Sequence, residues 1–234
     1  MGSLKQFISC LNILQEADLK PVSRRAAAVL MLLEEVHGEI HIVLTQRSSK
    51  VSTHQGEVCL PGGKRDADDT SNVATALREA REEIGLDAAN VRVIGCLQPF
   101  LSKHLLSVTP VVAVLVGMQP FQPNAAEVAT VFWIRLAAVL EDHPRHTWKD
   151  ISWEQPGDES ASWHRVHYFD IDQQNVWGLS AAMLIELAEQ GYQRPAAFQV
   201  NMPGAQPFHT LTFEDGRLRW RADDTSRHGH VVPV

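Results

Sequence analysis

A glycine turn followed by an acidic helical pattern constrains this chain more than any other stretch. The sequence Leu-Pro-Gly-Gly at residues 60–63 leads to Arg-Glu-Ala-Arg-Glu-Glu-Ile-Gly-Leu at residues 78–86. A helix places Glu79 beside both Glu82 and Glu83, because residues three and four apart share a helix face. Like charges at this spacing destabilise an isolated helix by about 0.2–0.5 kcal/mol per pair. Mg²⁺ or Mn²⁺, which prefer oxygen ligands, would convert this repulsion into coordination, so the stretch predicts a metal site.

The remaining patterns predict an α+β protein in which strands outnumber helices. Apolar residues at helical spacing predict three helices, over residues 4–16, 71–84 and 177–187. Apolar runs rich in β-branched and aromatic residues predict strands over residues 26–33, 40–44, 91–97, 108–116, 128–134 and 166–171. His37-Gly38 is a predicted hairpin turn between the first two strands. Thr70 or Ser71 is the predicted N-cap of the second helix, and Gly85 lies where a C-terminal glycine belongs.

Two stretches fall outside this regular pattern. Residues 143–162 are polar and contain Pro and Trp, so we expect a long surface excursion there. Asp215-Gly216 separates two alternating runs within residues 211–220, which predicts a hairpin, and the end from residue 223 is expected to fray. We therefore divide the chain into a main domain, residues 1–200, and a C-terminal extension, residues 201–234.

Composition narrows the classes of partner. The formal net charge is −7 and Lys and Arg form no cluster, so a nucleic-acid duplex is not an expected partner. Three widely spaced cysteines indicate reduced thiols. The longest apolar run is too short and too interrupted to span a bilayer, and the N-terminus shows no signal peptide. We expect a cytoplasmic protein that acts on a small molecule, with no membrane partner and with a homodimer left open.

Residues 63–86 resemble the signature of the Nudix hydrolase family. The matching residues are Arg78, Glu79, Glu82, Glu83 and Gly85. Asp69 stands where the signature has an earlier glutamate, and the spacing from Gly63 to Arg78 is one residue longer than usual. The resemblance implies an α/β/α sandwich, with a mixed β-sheet between the signature helix and the helix that begins near Trp177. It also implies attack of water on a diphosphate with the help of Mg²⁺ or Mn²⁺.

A narrower resemblance extends to both sides of the glycine turn. Residues 44–48 and 56–66 are similar to the coenzyme A diphosphatase branch of that family, and so is the insertion that contains Asp66 and Asp69. This similarity implies hydrolysis of the diphosphate bond of coenzyme A or acyl-coenzyme A. The products would be 3′,5′-ADP and 4′-phosphopantetheine or its acyl derivative.

The resemblance also implies roles for individual residues. Glu79, Glu82, Glu83 and the main-chain carbonyl of Gly62 would hold the metal, with Glu82 the first choice of general base and Glu127 an additional ligand or base. Arg78 would orient a glutamate, because its guanidinium stays protonated. The candidate substrate-binding residues are Arg47, Gly56, Glu57, Gly63, Lys64 and Arg65.

Each functional interpretation has a structural or functional alternative. Mixed charges on a helix usually form a solvated face with ion pairs, and Glu127 or Arg47 can be an ordinary surface residue. His164, His167 and Cys59 are expected to pack or, for the histidines, to face solvent. The same fold can also act on ADP-ribose, a dinucleotide or an oxidised nucleotide, or serve as a non-catalytic binding module.

Overall fold

A long antiparallel hairpin, β1 (Arg25–Val36) and β2 (Glu39–Arg47), forms the centre of the main sheet in the computed structural model. The structure describes residues 3–50, 55–142, 144–153, 162–201, 211–214 and 217–220. His37 and Gly38 connect the two strands with φ angles of 52° and 79°. Positive φ at both central residues is what a type I′ turn requires, so the predicted hairpin turn is confirmed.

The helices and the other strands follow in chain order. The helices are α1 (Leu4–Ser9), α2 (Asn72–Ile84) and α3 (Gly178–Tyr192). The strands after β2 are β3 (Val58–Cys59), β4 (Gly62–Lys64), β5 (Val91–Cys96), β6 (Phe100–Leu101), β7 (Leu106–Leu115), β8 (Val128–Arg135), β9 (Thr147–Trp153), β10 (Ser162–Ile171), β11 (Gln174–Trp177), β12 (Leu211–Glu214) and β13 (Arg217–Trp220). Each strand predicted from the sequence is present, although several are longer than predicted.

The main sheet is mixed. Its strand order is β3-β2-β1-β7-β5, while β4 pairs with β1, β6 with β7 and β8 with β2. β1 and β7 run parallel, and the other pairs of this sheet are antiparallel. A second sheet of three strands has the order β11-β10-β9.

Two hydrophobic cores lie on opposite faces of the main sheet. Leu30 and Leu32 of β1 pack in the same cluster as Ile84 of α2, whereas Met31 and Leu33 belong to the cluster that contains the buried residues of α3. Successive side chains of a strand point to opposite faces, so α2 and α3 cover different faces of the sheet. The predicted α/β/α sandwich with a mixed sheet is confirmed.

The glycine turn fills a wedge where β1 and β2 separate. The two strands pair with each other only near their turn, over residues 33–36 and 39–42. Beyond that point, β3 continues the sheet beside β2, and β4 continues it beside β1. Pro61 lies in the short connection between β3 and β4. Its carbonyl accepts a hydrogen bond of 2.7 Å from the main-chain N–H of Leu30. The segment that carries Gly62 and Gly63 is therefore part of the sheet.

The predicted helix over residues 4–16 is wrong in its length. α1 ends at Ser9, and Leu14 instead forms an isolated antiparallel bridge with Cys96. Ile13 packs on Gly95, where a Cβ would lie 2.3 Å from the Ile13 Cγ2 atom. Ile13 and Leu14 therefore contact β5 instead of extending α1. The helical spacing of the apolar residues does not correspond to a helix beyond Ser9.

The excursion predicted over residues 143–162 contains regular structure. β9 pairs antiparallel with β10 over seven residue pairs, so residues 147–153 form a strand that the sequence did not predict, while residues 154–161 lie outside the described part of the chain. β9 is an edge strand of its sheet, and its side chains Trp148 and Ile151 are 50% and 43% exposed. An edge strand with one face in solvent has a polar sequence, which explains why no strand was predicted for these residues.

The C-terminal hairpin is present as predicted. β12 and β13 pair antiparallel, and β12 runs beside β6 of the main sheet. The Asp215-Gly216 turn and the end from residue 223, which is predicted to fray, lie outside the described residues. The domain boundary after residue 200 stays a prediction. None of the helices in the described ranges is both long enough and apolar enough to cross a bilayer.

Candidate functional site

Both ends of the signature helix α2 are closed as the sequence predicts. The Ser71 hydroxyl accepts a hydrogen bond of 2.9 Å from the N–H of Ala74, so Ser71 and not Thr70 is the N-cap. Gly85 adopts φ 68°, and its N–H donates to the carbonyl of Arg81 at 3.0 Å. A left-handed residue that satisfies the last carbonyls is a common helix end. These caps fix the position of the three glutamates along the helix.

Glu83 joins α2 to the glycine turn. Its side chain is buried, with 3% of the residue exposed, and its Oε2 atom accepts a hydrogen bond of 3.0 Å from the N–H of Gly62. Burial raises the pKa of Glu83 to about 7, and the charges of Glu79 and Glu127 add to this effect, while the Gly62 N–H and Arg47 oppose it. A nearby cation would favour the ionised form of such a carboxylate.

Glu79 lies directly against the second glycine of the turn. A Cβ on Gly63 would lie 2.5 Å from both the carboxyl carbon and the Oε1 atom of Glu79. Burial raises the pKa of Glu79, Arg78 lowers it, and Glu82 and Glu127 raise it further. Gly63 is therefore required by the close approach of a carboxylate that is surrounded by other acidic groups.

Arg78 holds the acidic side chains in place. Its Nη1 donates to Glu82 Oε2 at 3.0 Å, and its Nη2 lies 3.0 Å from Glu79 Oε1. The same Nη2 donates to the carbonyl of Lys64 at 3.1 Å. The guanidinium thus links two glutamates of the helix to β4, as predicted for a residue that orients a glutamate.

Asp69 is the main partner of Arg78, a role that the sequence left unassigned. The Arg78 Nε and Nη2 atoms donate to its two carboxylate oxygens, each at 3.0 Å. Asp69 also accepts hydrogen bonds from the Thr75 hydroxyl and the Asp66 N–H. Arg78 holds the pKa of Asp69 well below its usual range. The available signal was that Asp69 replaces an acidic residue of the signature.

The predicted substrate-binding residues fall into two groups. The N–H of Arg47 donates to the carbonyl of Glu57 at 2.9 Å, and the N–H of Gly56 donates to the carbonyl of Arg47 at 3.1 Å. Arg47, Gly56 and Glu57 therefore lie together at the end of β2. The buried Nε of Arg47 has no hydrogen-bond partner within the described residues. The charge of Arg47 also acts on Glu83, which places this guanidinium near the acidic cluster.

Lys64 and Arg65 are placed differently from each other. Lys64 is exposed at the end of β4. The Arg65 Nε and Nη2 atoms both donate to the carbonyl of Asp69, at 3.3 and 3.1 Å, so this guanidinium closes the turn before α2. The geometry favours Lys64 over Arg65 for a contact with substrate.

Glu127 is exposed, yet it lies close to the other acidic residues. Its main-chain carbonyl accepts a hydrogen bond of 2.8 Å from the Ser48 N–H, one residue after Arg47. Its negative charge raises the pKa of both Glu79 and Glu83. The structure therefore brings this residue, distant in sequence, to the rim of the site.

The donor set fits a hard divalent cation, although the carboxylates are not arranged as a preformed cage. Among the described residues, no three His, Cys, Asp or Glu side chains converge in a metal-binding arrangement. Arg78 holds the Glu79 and Glu82 carboxylates, and Gly62 holds that of Glu83. The Glu82 side chain is 48% exposed and can rotate away from Arg78 toward a cation. The buried Glu83 and the partly buried Glu79, both with raised pKa values, supply the oxygen ligands that such an ion prefers.

The histidines and the cysteine named in the sequence have packing roles. His164 and His167 are 2% and 3% exposed, so both pack in the interior. His167 Nε2 lies 2.8 Å from the carbonyl of Val200, which requires a donor at that nitrogen. The Cys59 thiol contacts the Thr45 hydroxyl at 3.3 Å, and burial raises its pKa to about 11. A thiol with a raised pKa is a poor nucleophile.

Comparison with known proteins gives the same family throughout. Residues 23–154 match the model of the NUDIX domain. The chain is 44% identical over 190 residues to the mitochondrial Nudix hydrolase 15 of Arabidopsis thaliana, with 77% of this chain and 63% of that relative covered. It is 42% identical over 186 residues to the chloroplastic Nudix hydrolase 22 of the same plant, with coverages of 77% and 59%. It is 36% identical over 193 residues to the Nudix hydrolase NudL of Pectobacterium atrosepticum, with coverages of 82% and 97%.

The chain spans about three fifths of the length of the two plant relatives and nearly the whole length of the bacterial one. The domain match covers more than half of this chain and includes the wedge, α2 and the glutamates. On these grounds, the chain belongs to the Nudix hydrolase family.

Proposed function

We propose that the protein hydrolyses the diphosphate bond of coenzyme A or acyl-coenzyme A in a reaction that requires Mg²⁺ or Mn²⁺. One observation carries the proposal: the partly buried Glu79 and the buried Glu83 both meet the glycine turn, and the charge of Arg47 lowers the pKa of Glu83. A cluster of carboxylates next to an arginine with an unpaired Nε suits a metal-bound anionic substrate.

Nudix hydrolases generally need divalent cations. In this chain, Glu79, Glu82, Glu83 and the Gly62 carbonyl are the residues that would hold them. A bound Mg²⁺ or Mn²⁺ supplies neutralisation of the diphosphate charge and a lower pKa for a water molecule. The proposed cation explains why a fold would retain a buried carboxylate whose pKa is raised to about 7.

The chain's own residues have separate tasks in this scheme. Arg47 binds a phosphate oxygen through its guanidinium, and Lys64 adds a second positive charge at the edge of the site. Glu82 or Glu127 accepts the proton of the attacking water, since both carboxylates are exposed at the rim. Arg78, anchored by Asp69, keeps Glu79 and Glu82 in position.

The choice of coenzyme A rests on residues 44–48 and 56–66, which resemble the coenzyme A diphosphatase branch. Arg47, Gly56 and Glu57 from these two stretches are hydrogen-bonded neighbours at the site. The cytoplasmic location remains part of the proposal, and so does the homodimer.

A hydrolysis screen with the purified chain tests the proposal. Coenzyme A, octanoyl-coenzyme A, ADP-ribose and NADH are each incubated with Mg²⁺, with Mn²⁺ and with EDTA, and products are identified by mass. We expect 3′,5′-ADP from the coenzyme A compounds only when a metal is present. Cleavage of ADP-ribose with coenzyme A untouched would replace the substrate, and tight binding without any hydrolysis would identify a non-catalytic module.

A further inference from the structure

The turn that carries Glu127 is fixed to the last turn of α2. The N–H of Gln122 donates to the carbonyl of Ile84 at 2.9 Å. The N–H of Asn124 donates to the carbonyl of Glu83, also at 2.9 Å. The last four carbonyls of a helix have no partner within the helix, so these two bonds supply partners from outside α2. Glu83 therefore contacts the glycine turn with its side chain and the segment before β8 with its main chain.

Asn124 also forms the turn itself. Its carbonyl accepts hydrogen bonds from the N–H groups of Glu127 at 2.9 Å and of Val128 at 2.8 Å. Its side-chain Oδ1 atom accepts a further bond, of 3.2 Å, from the N–H of Ala126. Asn favours such turns because its side chain can bind the main chain two residues later. The Asn124 side chain thus helps to fix the path of the chain from α2 to Glu127.

Ser48 holds the same turn from the end of β2. Ser48 is 4% exposed, and its N–H donates to the carbonyl of Glu127 at 2.8 Å. Its hydroxyl donates to the carbonyl of Ala125 at 3.3 Å and accepts a bond of 3.2 Å from the N–H of Lys50. A buried hydroxyl that donates and accepts at once is held in one orientation. The turn is therefore bound on one side to α2 and on the other to β2.

An irregularity in β8 lies directly after Glu127. Arg47 pairs with Val128, whereas its neighbour in β2 pairs with Thr130, so Ala129 is an extra residue in β8. Bulges of this kind are common beside active sites, where they change the direction of a side chain. The end of β8 that carries Glu127 is therefore irregular at the point where it reaches the site.

We propose that Ser48 and Asn124 are positioning residues, which together hold the Glu127 carboxylate at the glutamates of α2. This assignment rests on the proposed function, because it requires that Glu127 take part in metal binding or in proton transfer. The negative charge of Glu127 acts on both Glu79 and Glu83, so the three carboxylates are close in space. Ser48 and Asn124 both bind the main chain of Glu127, so their effect on the reaction passes through that residue. The competing role is structural, in which the turn only closes the end of β8.

A double-mutant cycle with Glu127→Gln separates the two roles. Ser48→Ala and Asn124→Ala are made in the wild type and in Glu127→Gln, and kcat is measured at enzyme concentrations high enough for slow variants. We expect each to lower kcat about 10-fold in the wild type, as for residues that orient catalytic groups. In Glu127→Gln each should lower kcat less than about twofold, because the group that they position is gone. Asn124→Ser retains a side-chain oxygen for the same bond and should keep most of the activity.

Two matched controls have the same kinds of contact elsewhere in the chain. The Ser23 hydroxyl accepts the main-chain N–H two residues later at 3.2 Å and donates to the carbonyl of Leu105 at 2.6 Å, as Ser48 does with its own partners. The Asp87 Oδ1 atom accepts the main-chain N–H two residues later at 2.9 Å, as Asn124 does. We expect Ser23→Ala and Asp87→Ala to keep the kcat of their parent in both backgrounds. Thermal unfolding checks that each variant folds, and the exposed Asn124 provides the test if Ser48→Ala does not fold.

The outcomes separate this assignment from the proposed function. Equal losses of kcat in the two backgrounds overturn the positioning role, because the turn would then be structural. Turnover close to wild type in Asn124→Ala, or in Glu127→Gln itself, overturns it as well. Cleavage of ADP-ribose with coenzyme A untouched contradicts only the proposed substrate, because the cycle is then read with ADP-ribose.

A chain that hydrolyses none of the compounds still allows the test. The same cycle is then read from the affinity for Mn²⁺, which electron paramagnetic resonance measures through the free ion. A weakening by Asn124→Ala that disappears in Glu127→Gln supports the positioning role. An affinity for Mn²⁺ that Glu127→Gln leaves unchanged overturns it.

Discussion

The Glu79 carboxylate occupies the space that a side chain on Gly63 would need, with only 2.5 Å between its carboxyl carbon and the position of a Cβ. Because Gly63 has no side chain, the Glu79 carboxylate of α2 can pack directly against the glycine turn. This contact couples the backbone of β4 to the residue that begins the glutamate cluster.

Gly63→Ala should reduce activity by at least about 100-fold, because the methyl group displaces Glu79 from its position. A misplaced catalytic group commonly has an effect of this size. The variant is compared with the wild type by steady-state kinetics and by thermal unfolding. Gly117→Ala is the matched control, since its Cβ would lie 2.5 Å from the Asn90 Oδ1 atom, away from the site. Equal activity losses in the two variants would show that strain alone, not Glu79, is responsible.

Glu83→Gln should leave the fold intact and remove most of the activity. The neutral amide avoids the desolvation of a buried charge, so the apo chain should unfold at the same temperature or higher. We expect Mn²⁺ to raise the melting temperature of the wild type and not that of this variant. Glu189→Gln is the control, because Glu189 also has a pKa raised by burial and accepts a main-chain N–H, that of Ala196, on the other helix. Metal stabilisation that persists in Glu83→Gln would remove Glu83 from the metal site.

The same design applies to Glu82→Gln, which we expect to fold normally and to lose most of its turnover. Turnover close to wild type in both glutamine variants would refute the assignment of the metal site to α2.

Arg78→Lys should lower kcat by roughly 10- to 100-fold, the usual range for groups that orient metal ligands. An ammonium group cannot contact Asp69 with two donors and also reach Glu79 and Glu82. KM for the substrate should change much less than kcat, because Arg78 has no predicted contact with it. Arg135→Lys is the control, since Arg135 makes a two-donor contact with Glu141 outside the site. A large rise in KM with normal kcat would indicate that Arg78 binds substrate directly.

His164 should make the chain less stable in acid. Burial lowers its pKa to about 4, from an ordinary value near 6.5. As the pH falls, the unfolded chain takes up this proton before the folded chain does. The contribution of neutral His164 to the free energy of unfolding is therefore complete above pH 6.5 and is lost as the pH falls toward 4. Between pH 7.5 and pH 5.5 the loss is about 1.4 kcal/mol. Denaturant unfolding at both pH values should show that His164→Gln reduces this pH dependence.

His37→Asn serves as the control for that measurement, because His37 is exposed and Asn tolerates its positive φ. The control should retain the pH dependence of the wild type. A His164→Gln variant with the same dependence would mean that other groups account for the acid sensitivity.

The parts of the structure that were predicted correctly depend on local chemistry. The Ser71 cap, the Gly85 end and the apolar stripe between them define α2 to the residue, because each acts within a few positions of the chain. The His37-Gly38 turn was predictable for the same reason. The family, the sandwich and its mixed sheet followed from the residues that resemble the Nudix signature.

The parts that were missed depend on contacts between distant segments. Nothing near Ile13 and Leu14 indicates that they leave α1 to meet Gly95 and Cys96. β9 has a polar pattern because it pairs only at a sheet edge. The proximity of Glu127 to Glu83 is likewise set by the pairing of β2 with β8 and not by any local motif. Its catalytic role stays a prediction.

The wedge between β1 and β2 has one further consequence, which concerns the extra residue between Gly63 and Arg78. One end of the connecting loop is fixed because Gly62 lies against Ala28 and Val29 of β1, where a Cβ would come within 2.6 Å of main-chain atoms. The other end is fixed by the helix cap. With both ends anchored, the loop can accommodate an extra residue without moving the glutamates, provided that Asp69 keeps its contact with Arg78. The extra residue of this chain therefore changes the length of the loop between β4 and α2, while Glu79 stays against Gly63.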